Sequence, residues 1–249
     1  MRTEPAVNAI DEMMEQASLA LAATRYFEAT ALATRALARA RSAIDPERMA
    51  RICLPLQEAR RQIRQLAVDD AAGRETPVTV IGAPEDAPRP LRPGCYLIQP
   101  PMIGADGRAL RQAAERTKIP VFVLTREPLT KLGKWPIVGV TAEHSVRTRI
   151  DPPVPLERVK GRSTLDNFEG KIPLTWFEAA GEALGDSAIE SIDPEHSPWW
   201  QMDDLLEALE AVPEHEKLHQ ALADTCRRAA RAPRPTERRP SPLDDPFMF

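Results

Sequence analysis

Apolar and polar positions over residues 1–70 repeat with the period of an α-helix. Apolar residues recur three or four positions apart over 7–23, which predicts one amphipathic helix, and an alanine-rich segment predicts a second over 26–44. Asp45 precedes a proline, a typical helix start, and predicts a third helix over 46–68. Pro55 is expected to kink or divide that helix, because proline removes a backbone hydrogen bond.

Strand-like runs begin after residue 76, where the helical period ends. Four runs rich in β-branched residues and bounded by Pro or Gly have the length of strands: 77–84, 94–101, 119–128 and 135–143. A helical segment at 106–118 separates the second run from the third, which predicts a βαβ unit. The run 147–155 ends in prolines and is expected to form an edge strand. Residues 76–165 are therefore predicted to form a small α/β domain.

Helical patterns return at residue 172 and end before a proline-rich tail. Helices are predicted over 173–184, 198–211 and 214–230. Residues 232–249 are rich in Pro and Arg, which predicts a disordered tail. The predicted fold class is mixed α+β. It comprises an N-terminal helical hairpin or three-helix region at 1–70, the α/β domain at 76–165 with its βαβ unit, acidic helices at 172–231 and the tail at 232–249.

The segment TRYFEATALATRAL in the second predicted helix resembles part of a tetratricopeptide repeat. Tyr26, Ala29 and Ala36 match the aromatic and small positions of the pattern GxYxxAxxxYxxAL, whereas Thr24 stands where glycine is usual. The likeness covers about 35 residues, once. It implies a concave surface that docks a protein rather than a catalytic role. An ordinary helical bundle is the alternative.

Charge is unevenly distributed along the chain, although the net charge is only -4. Residues 76–165 hold 14 basic and 8 acidic groups, whereas residues 166–226 hold 2 basic and 15 acidic groups. We expect the basic and acidic segments to face each other within one molecule, with two separate docking faces as the alternative. Nucleic-acid binding is disfavoured, since a dedicated binder needs an uncompensated basic stripe.

Several protein classes are disfavoured by composition. The sequence has no apolar run long enough to span a membrane, and its acidic N-terminus is unlike a signal peptide. Cys53, Cys95 and Cys226 are far apart and form no CxxC pair, so buried free thiols are expected. The 27 arginines against 6 lysines are typical of a GC-rich genome. We therefore expect a cytoplasmic, bacterial protein without a membrane partner.

The pentapeptide HEKLH, with His215 and His219, matches the HExxH pattern of zinc peptidases. Two histidines one helical turn apart can hold Zn²⁺, and Glu216 would activate a bound water. However, Asp224 lies on a different helix face from His219, and the family resemblance requires a third ligand downstream. Zincin helices also keep an uncharged residue where Lys217 stands. We expect two exposed histidines, with a zinc site as the alternative.

Loops after the predicted strands carry glycines and cations. Gly104 and Gly107 lie at the start of a predicted helix, whose free N–H groups can bind an anion, and Arg126, Lys131 and Lys134 could supply charge from a neighbouring loop. No GxGxxG or GxxxxGK[ST] motif is present. The alternatives are a phosphate or nucleotide site and ordinary turn chemistry in a solvated basic loop.

The sequence therefore favours a non-catalytic interaction or accessory protein that binds a protein partner, without a cofactor. The alternative is a small α/β ligand-binding or hydrolase domain that uses the strand-end loops. A metallopeptidase acting through residues 215–219 is a further alternative.

Overall fold

Seven helices and five strands make up the part of the chain that the computed structural model describes, residues 4–128, 130–153 and 170–236. The helices are α1 (Glu4–Ala22), α2 (Tyr26–Ser42), α3 (Pro46–Ala72), α4 (Gly104–Thr117), α5 (Leu174–Glu190), α6 (Pro198–Ala211) and α7 (Glu216–Arg231). The strands are β1 (Val78–Ile81), β2 (Gly94–Ile98), β3 (Val121–Arg126), β4 (Trp135–Val140) and β5 (Ser145–Ile150). The fold is mixed α+β, which confirms the predicted class. No described helix is both long and apolar enough to cross a bilayer.

The three N-terminal helices pack side by side. Thr24 and Ile44 adopt left-handed backbone conformations, with φ of 58° and 54°, where α1 turns into α2 and α2 into α3. Asp45 caps α3 through a hydrogen bond from the Arg48 backbone, and the Arg48 guanidinium bridges Asp45 at 2.8 Å and Asp11 of α1 at 2.9 Å. The helix α3 continues through Pro55, so the predicted division there is wrong.

The five strands form one sheet in the order β1-β2-β3-β4-β5. The first three strands are parallel, and α4 connects β2 to β3 as the predicted βαβ unit. Both β4 and β5 run antiparallel to their neighbours, with Thr125 of β3 opposite Val138 of β4. Each strand-like run of the sequence is therefore a strand, and the run that begins at 147 contributes to β5 at the sheet edge.

Two hydrophobic clusters cover the two faces of the sheet. Alternate residues of β2 face opposite ways, so that Cys95 and Leu97 join the large cluster while Tyr96 and Ile98 join the small one. The large cluster includes residues from α1, α2, α3, α5, α6 and α7, and the small one includes Ala114 of α4. The three predicted regions share one core, and their division into separately folding domains stays a prediction. Most of the tail predicted at 232–249 lies outside the described residues.

Two helix starts differ from the sequence pattern and matter for the candidate sites. Helix α4 begins at Gly104, two residues before the predicted start, because Ile103 is its N-cap. Asp106 lies in the first turn, where its carboxylate accepts a hydrogen bond from the Ile103 backbone at 2.8 Å. Helix α7 begins at Glu216, and His215 is its N-cap.

Candidate functional site

His215 is buried, with 2% of its surface exposed, so the expected exposed position is wrong. Its Nδ1 accepts a hydrogen bond from the Leu218 backbone at 3.2 Å, which caps α7. Its Nε2 lies 3.2 Å from Asp186 Oδ1 and 3.4 Å from Glu182 Oε2, both on α5. Since Nδ1 accepts, the N–H of the ring is at Nε2, which faces these two carboxylates. The ring has a structural role that links α7 to α5.

His219 is also buried, with 1% exposed, so the expected exposed position is wrong here as well. Its Nδ1 donates to the His215 carbonyl at 2.9 Å, and its Nε2 accepts from Arg60 Nη1 of α3 at 3.2 Å. Burial, followed by the nearby Arg60 charge, lowers the pKa of His219 to about 3. His219 is therefore neutral over the physiological pH range.

This arrangement does not support the zinc alternative. The Nε2 atom of His215 faces carboxylates on α5, whereas that of His219 faces a guanidinium on α3. Among the described residues, no group of three or more His, Cys, Asp or Glu side chains is placed to hold a metal ion. The HEKLH segment instead forms the start of α7, where His215 contacts α5 and His219 contacts α3.

Replacing His215 with Ala should lower the free energy of unfolding by about 2–3 kcal/mol. The variant loses an N-cap bond, of about 1 kcal/mol, and leaves a cavity where the buried ring packs against α5. Urea denaturation at neutral pH measures the loss. His215→Asn should recover part of it, because Asn is a good N-cap. His144→Ala is the control, since His144 is exposed, and an equally small effect at both positions would contradict this role.

Glu182 lies at the centre of the ionic contacts that surround His215. Hydrogen bonding from His215, supported by Arg64 at 2.7 Å, lowers the pKa of Glu182 to about 2. Asp186, one turn further on α5, pairs with Lys217 at 2.9 Å. These contacts join α3, α5 and α7 around the start of α7.

The lowered pKa of Glu182 predicts part of the acid sensitivity of the fold. Its folded pKa lies below its unfolded value, so the carboxylate stabilises the fold above about pH 4.5 and loses this effect as the pH falls towards 2. Glu182→Gln should therefore give a shallower loss of unfolding free energy over this pH interval in urea titrations. Glu190→Gln, at an exposed position of the same helix, should follow the wild-type curve. Parallel curves for Glu182→Gln and the wild type would refute the assignment.

Gly104 and Gly107 serve close packing of α4 on the sheet. A Cβ at Gly104 would lie 2.6 Å from Val140 Cγ1, and one at Gly107 would lie 2.2 Å from Thr125 Oγ1. Asp106 already places a carboxylate at the helix start. The cavity beside these glycines measures about 20 Å³, room for about one water molecule. A nucleotide or sugar phosphate does not fit in it.

The three cations expected beside this helix start have different surroundings. Arg126 is not on a loop but is fully buried at the end of β3, where it donates to Gln99 Oε1 at 2.8 Å and lies 4.4 Å from the centre of the Trp135 ring. Lys134 pairs with Asp151 at 2.6 Å. Lys131 is exposed. Buried Arg126 therefore belongs to the interior of the sheet rather than to a solvated basic loop.

A groove of about 1060 Å³ is formed by α2, α3, α4 and the end of α6. Helix α2 forms one wall and α4 another, while buried Leu56 places α3 at the floor. Apolar side chains from α2, α3, the segment after α4, the start of β3 and α6 line the groove: Phe27, Leu37, Leu56, Ile63, Ile119, Val121, Leu206 and Leu209. The groove, hereafter the α2–α4 groove, is lined by separate segments of the chain.

The wall contributed by α2 is a smooth face of small side chains. Ala31, Thr34 and Ala38 recur at intervals of three and four residues, and all three are exposed along the groove. The opposite face of α2 is buried in the core, through Ala29, Ala33 and Ala36 among others. Small residues let another backbone approach closely, so this face is suited to contact with a helix.

The charges along the α2–α4 groove are more cationic than anionic. Six basic side chains line it, Arg35, Arg41, Arg60, Arg108, Arg111 and Lys118, against four acidic ones, Glu28, Glu115, Glu210 and Glu214. Arg35, Arg60, Arg108 and Lys118 have no carboxylate oxygen within 4.0 Å in the described part of the chain. The groove is therefore a cationic surface on a chain whose net charge is -4.

Only part of the expected attraction between basic and acidic segments involves the α/β region. Arg111 of α4 lies 3.4 Å from the Ala211 carbonyl at the end of α6 and 4.0 Å from Glu214. The N-terminal helices also supply cations to the acidic region, since Arg41 pairs with Asp203 and Arg64 with Glu182. Carboxylates of the acidic region therefore pair with cations from both the N-terminal helices and α4.

Sequence reasoning missed the α2–α4 groove because its residues come from four distant segments. One usable signal was the series of small residues in the second predicted helix. The tetratricopeptide likeness lies in the same helix and stays a prediction. No family model matches the chain, and no curated protein or solved structure matches it.

Proposed function

We propose that this protein is a non-catalytic protein-binding protein whose α2–α4 groove receives an acidic amphipathic helix of a partner. The observation that carries the proposal is an open groove in which apolar residues share the lining with four cations that lack a carboxylate partner within the described residues. Recognition of a helix in a groove requires an apolar surface for one helix face and complementary charge for its edges. Both requirements are met here.

The dimensions and the α2 wall support a helical occupant. A helix with side chains is about 10–12 Å wide and needs a long, open surface rather than an enclosed pocket. The volume of about 1060 Å³ lies at the upper end of the range for small-molecule pockets. The exposed face of Ala31, Thr34 and Ala38 lets such a helix lie close to α2.

The charge pattern supports an acidic occupant. Arg35 lies on the α2 wall, whereas Arg108 and Lys118 lie on the α4 wall, so cations flank the apolar lining on both sides. Carboxylates along the edges of a bound helix would meet these cations, and lysines in the same places would be repelled. The two candidates for catalysis have weaker support, because the histidines are committed to helix contacts and the strand-end cavity holds about one water.

Two labelled peptides of about 16 residues test the proposal. Both carry the same leucine face, and the remaining positions are glutamate in one peptide and lysine in the other. Fluorescence anisotropy should show saturable binding of the glutamate peptide and at least about tenfold weaker binding of the lysine peptide. Equal affinities, or no saturable binding of the glutamate peptide, would overturn the proposal.

Other occupants of the groove give different outcomes in the same assay. If removal of residues 237–249, which contain Asp244 and Asp245, raises the affinity for the glutamate peptide, the chain's own C-terminal segment competes for the groove. If the groove holds a second copy of the chain, the apparent affinity falls as the protein concentration rises. Either result would contradict the proposal that a partner helix occupies the groove.

A further inference from the structure

Arg60 places a guanidinium group within the apolar floor of the α2–α4 groove. It lies on α3 between Leu56, one turn before it, and Ile63, one turn after it, and all three line the groove. Its pKa is lowered to about 10, chiefly because burial disfavours the charged form. Arg60 is therefore a cation in surroundings poor in water.

Arg60 differs from the other partly buried arginines of α3 in its partners. Arg48, Arg61 and Arg64 each pair with a carboxylate, at 2.8, 2.6 and 2.7 Å. Arg60 has no carboxylate within that reach among the described residues, and its hydrogen bond is to the neutral ring of His219. A neutral acceptor fixes the position of the guanidinium without neutralising its charge.

We propose that Arg60 is the specificity-determining residue of the groove and binds a side-chain carboxylate of the partner helix. This inference rests on the proposed function. His219 engages Nη1, which leaves the remaining N–H groups for an anion, and a guanidinium presents such donors in a planar fork that fits a carboxylate. His219 is the positioning residue, because its Nε2 holds the guanidinium from the side of α7.

A carboxylate suits this position better than a phosphate does. Glu115 and Glu214 both favour the charged form of Arg60 and so lie near it, while Arg111 opposes that form. A singly charged carboxylate adds little repulsion beside these acids, whereas a doubly charged phosphate adds more. The expected partner therefore presents Asp or Glu on the helix face that meets α3.

Two variants test the assignment with the glutamate peptide. Arg60→Lys keeps the positive charge but removes the planar fork, and it should weaken binding by about tenfold or more. The double variant Arg60→Met with His219→Phe replaces both members of the Arg60–His219 hydrogen bond with apolar groups of similar size, so that neither member is left buried without the other. It should bind as weakly as Arg60→Lys or more weakly, while its thermal midpoint stays near that of the wild type.

The outcomes separate this inference from the proposed function. If the wild type binds the glutamate peptide and both variants bind it with wild-type affinity, Arg60 does not bind the carboxylate and the inference is overturned. The groove then remains the proposed binding site. Tighter wild-type binding of a peptide with phosphoserine at the central glutamate position would overturn the choice of carboxylate.

Restored affinity in His219→Gln, relative to His219→Phe alone, supports the positioning role of His219, because the Gln side-chain oxygen can accept a hydrogen bond from Arg60. Equal affinities for these two variants would refute that role.

Discussion

Gly185→Ala is expected to lower the free energy of unfolding by about 2 kcal/mol or more, although alanine favours helices over glycine by about 1 kcal/mol. A Cβ at this position of α5 would lie 2.0 Å from Cγ of the His215 ring. The ring cannot move aside, because it caps α7 on one side and faces Asp186 and Glu182 on the other. The clash must therefore separate α5 from the start of α7.

Urea denaturation of Gly185→Ala measures this cost, and Gly73→Ala is the matched control. A Cβ at Gly73 would meet Asp70 O at an ordinary 3.8 Å, and Gly73 has φ of -77°, which alanine adopts freely. The control should change the free energy of unfolding by less than about 0.5 kcal/mol. Similar values for the two variants would show that the His215 ring is not held against α5.

Reversing the charges of the α4 wall should abolish most binding of the glutamate peptide. Arg108→Glu with Lys118→Glu turns two attractive contacts into repulsive ones, and the affinity should fall by more than about tenfold at low salt. Both side chains lack a carboxylate partner among the described residues, so the fold should be almost unaffected. Anisotropy titrations at low and high salt measure the effect, which screening should reduce in the wild type.

The control for charge reversal makes the same change in net charge at two arginines outside the groove. Arg39 of α2 and Arg116 of α4 are exposed and do not line the groove. Arg39→Glu with Arg116→Glu should keep an affinity within about threefold of the wild type, because exposed charges outside the contact act only through long-range attraction. A loss equal to that of the groove variant would assign the effect to net charge and contradict a defined contact.

The elements of the fold were predictable because each depends on local pattern. The period of apolar residues identified the seven helices, and β-branched runs bounded by Pro or Gly identified four strands. The run that ends in prolines identified the edge strand β5. The continuation of α3 through Pro55 was not predictable, because packing of the surrounding helix outweighs the loss of one hydrogen bond.

The surroundings of the candidate residues were not predictable, because they depend on contacts between distant segments. The spacing of His215 and His219 indicated a shared helix face, but the space for the His215 ring is opened by Gly185, 30 positions earlier. The hydrogen bond between Arg60 of α3 and His219 of α7 likewise joins two residues that are 159 positions apart in the sequence. A single sequence without such contacts shows the residue types but not their partners.

Backbone amide chemical shifts of the labelled full chain, recorded during addition of the glutamate peptide, test the central claim most directly. A helix bound in the α2–α4 groove should give its largest shift changes at Ala31, Thr34 and Ala38 of α2 and at Gln112 of α4, all of which line the groove. The exposed residues of α1 and β5 should change little. Largest changes in α1 or β5, or changes spread evenly over the chain, would contradict the account.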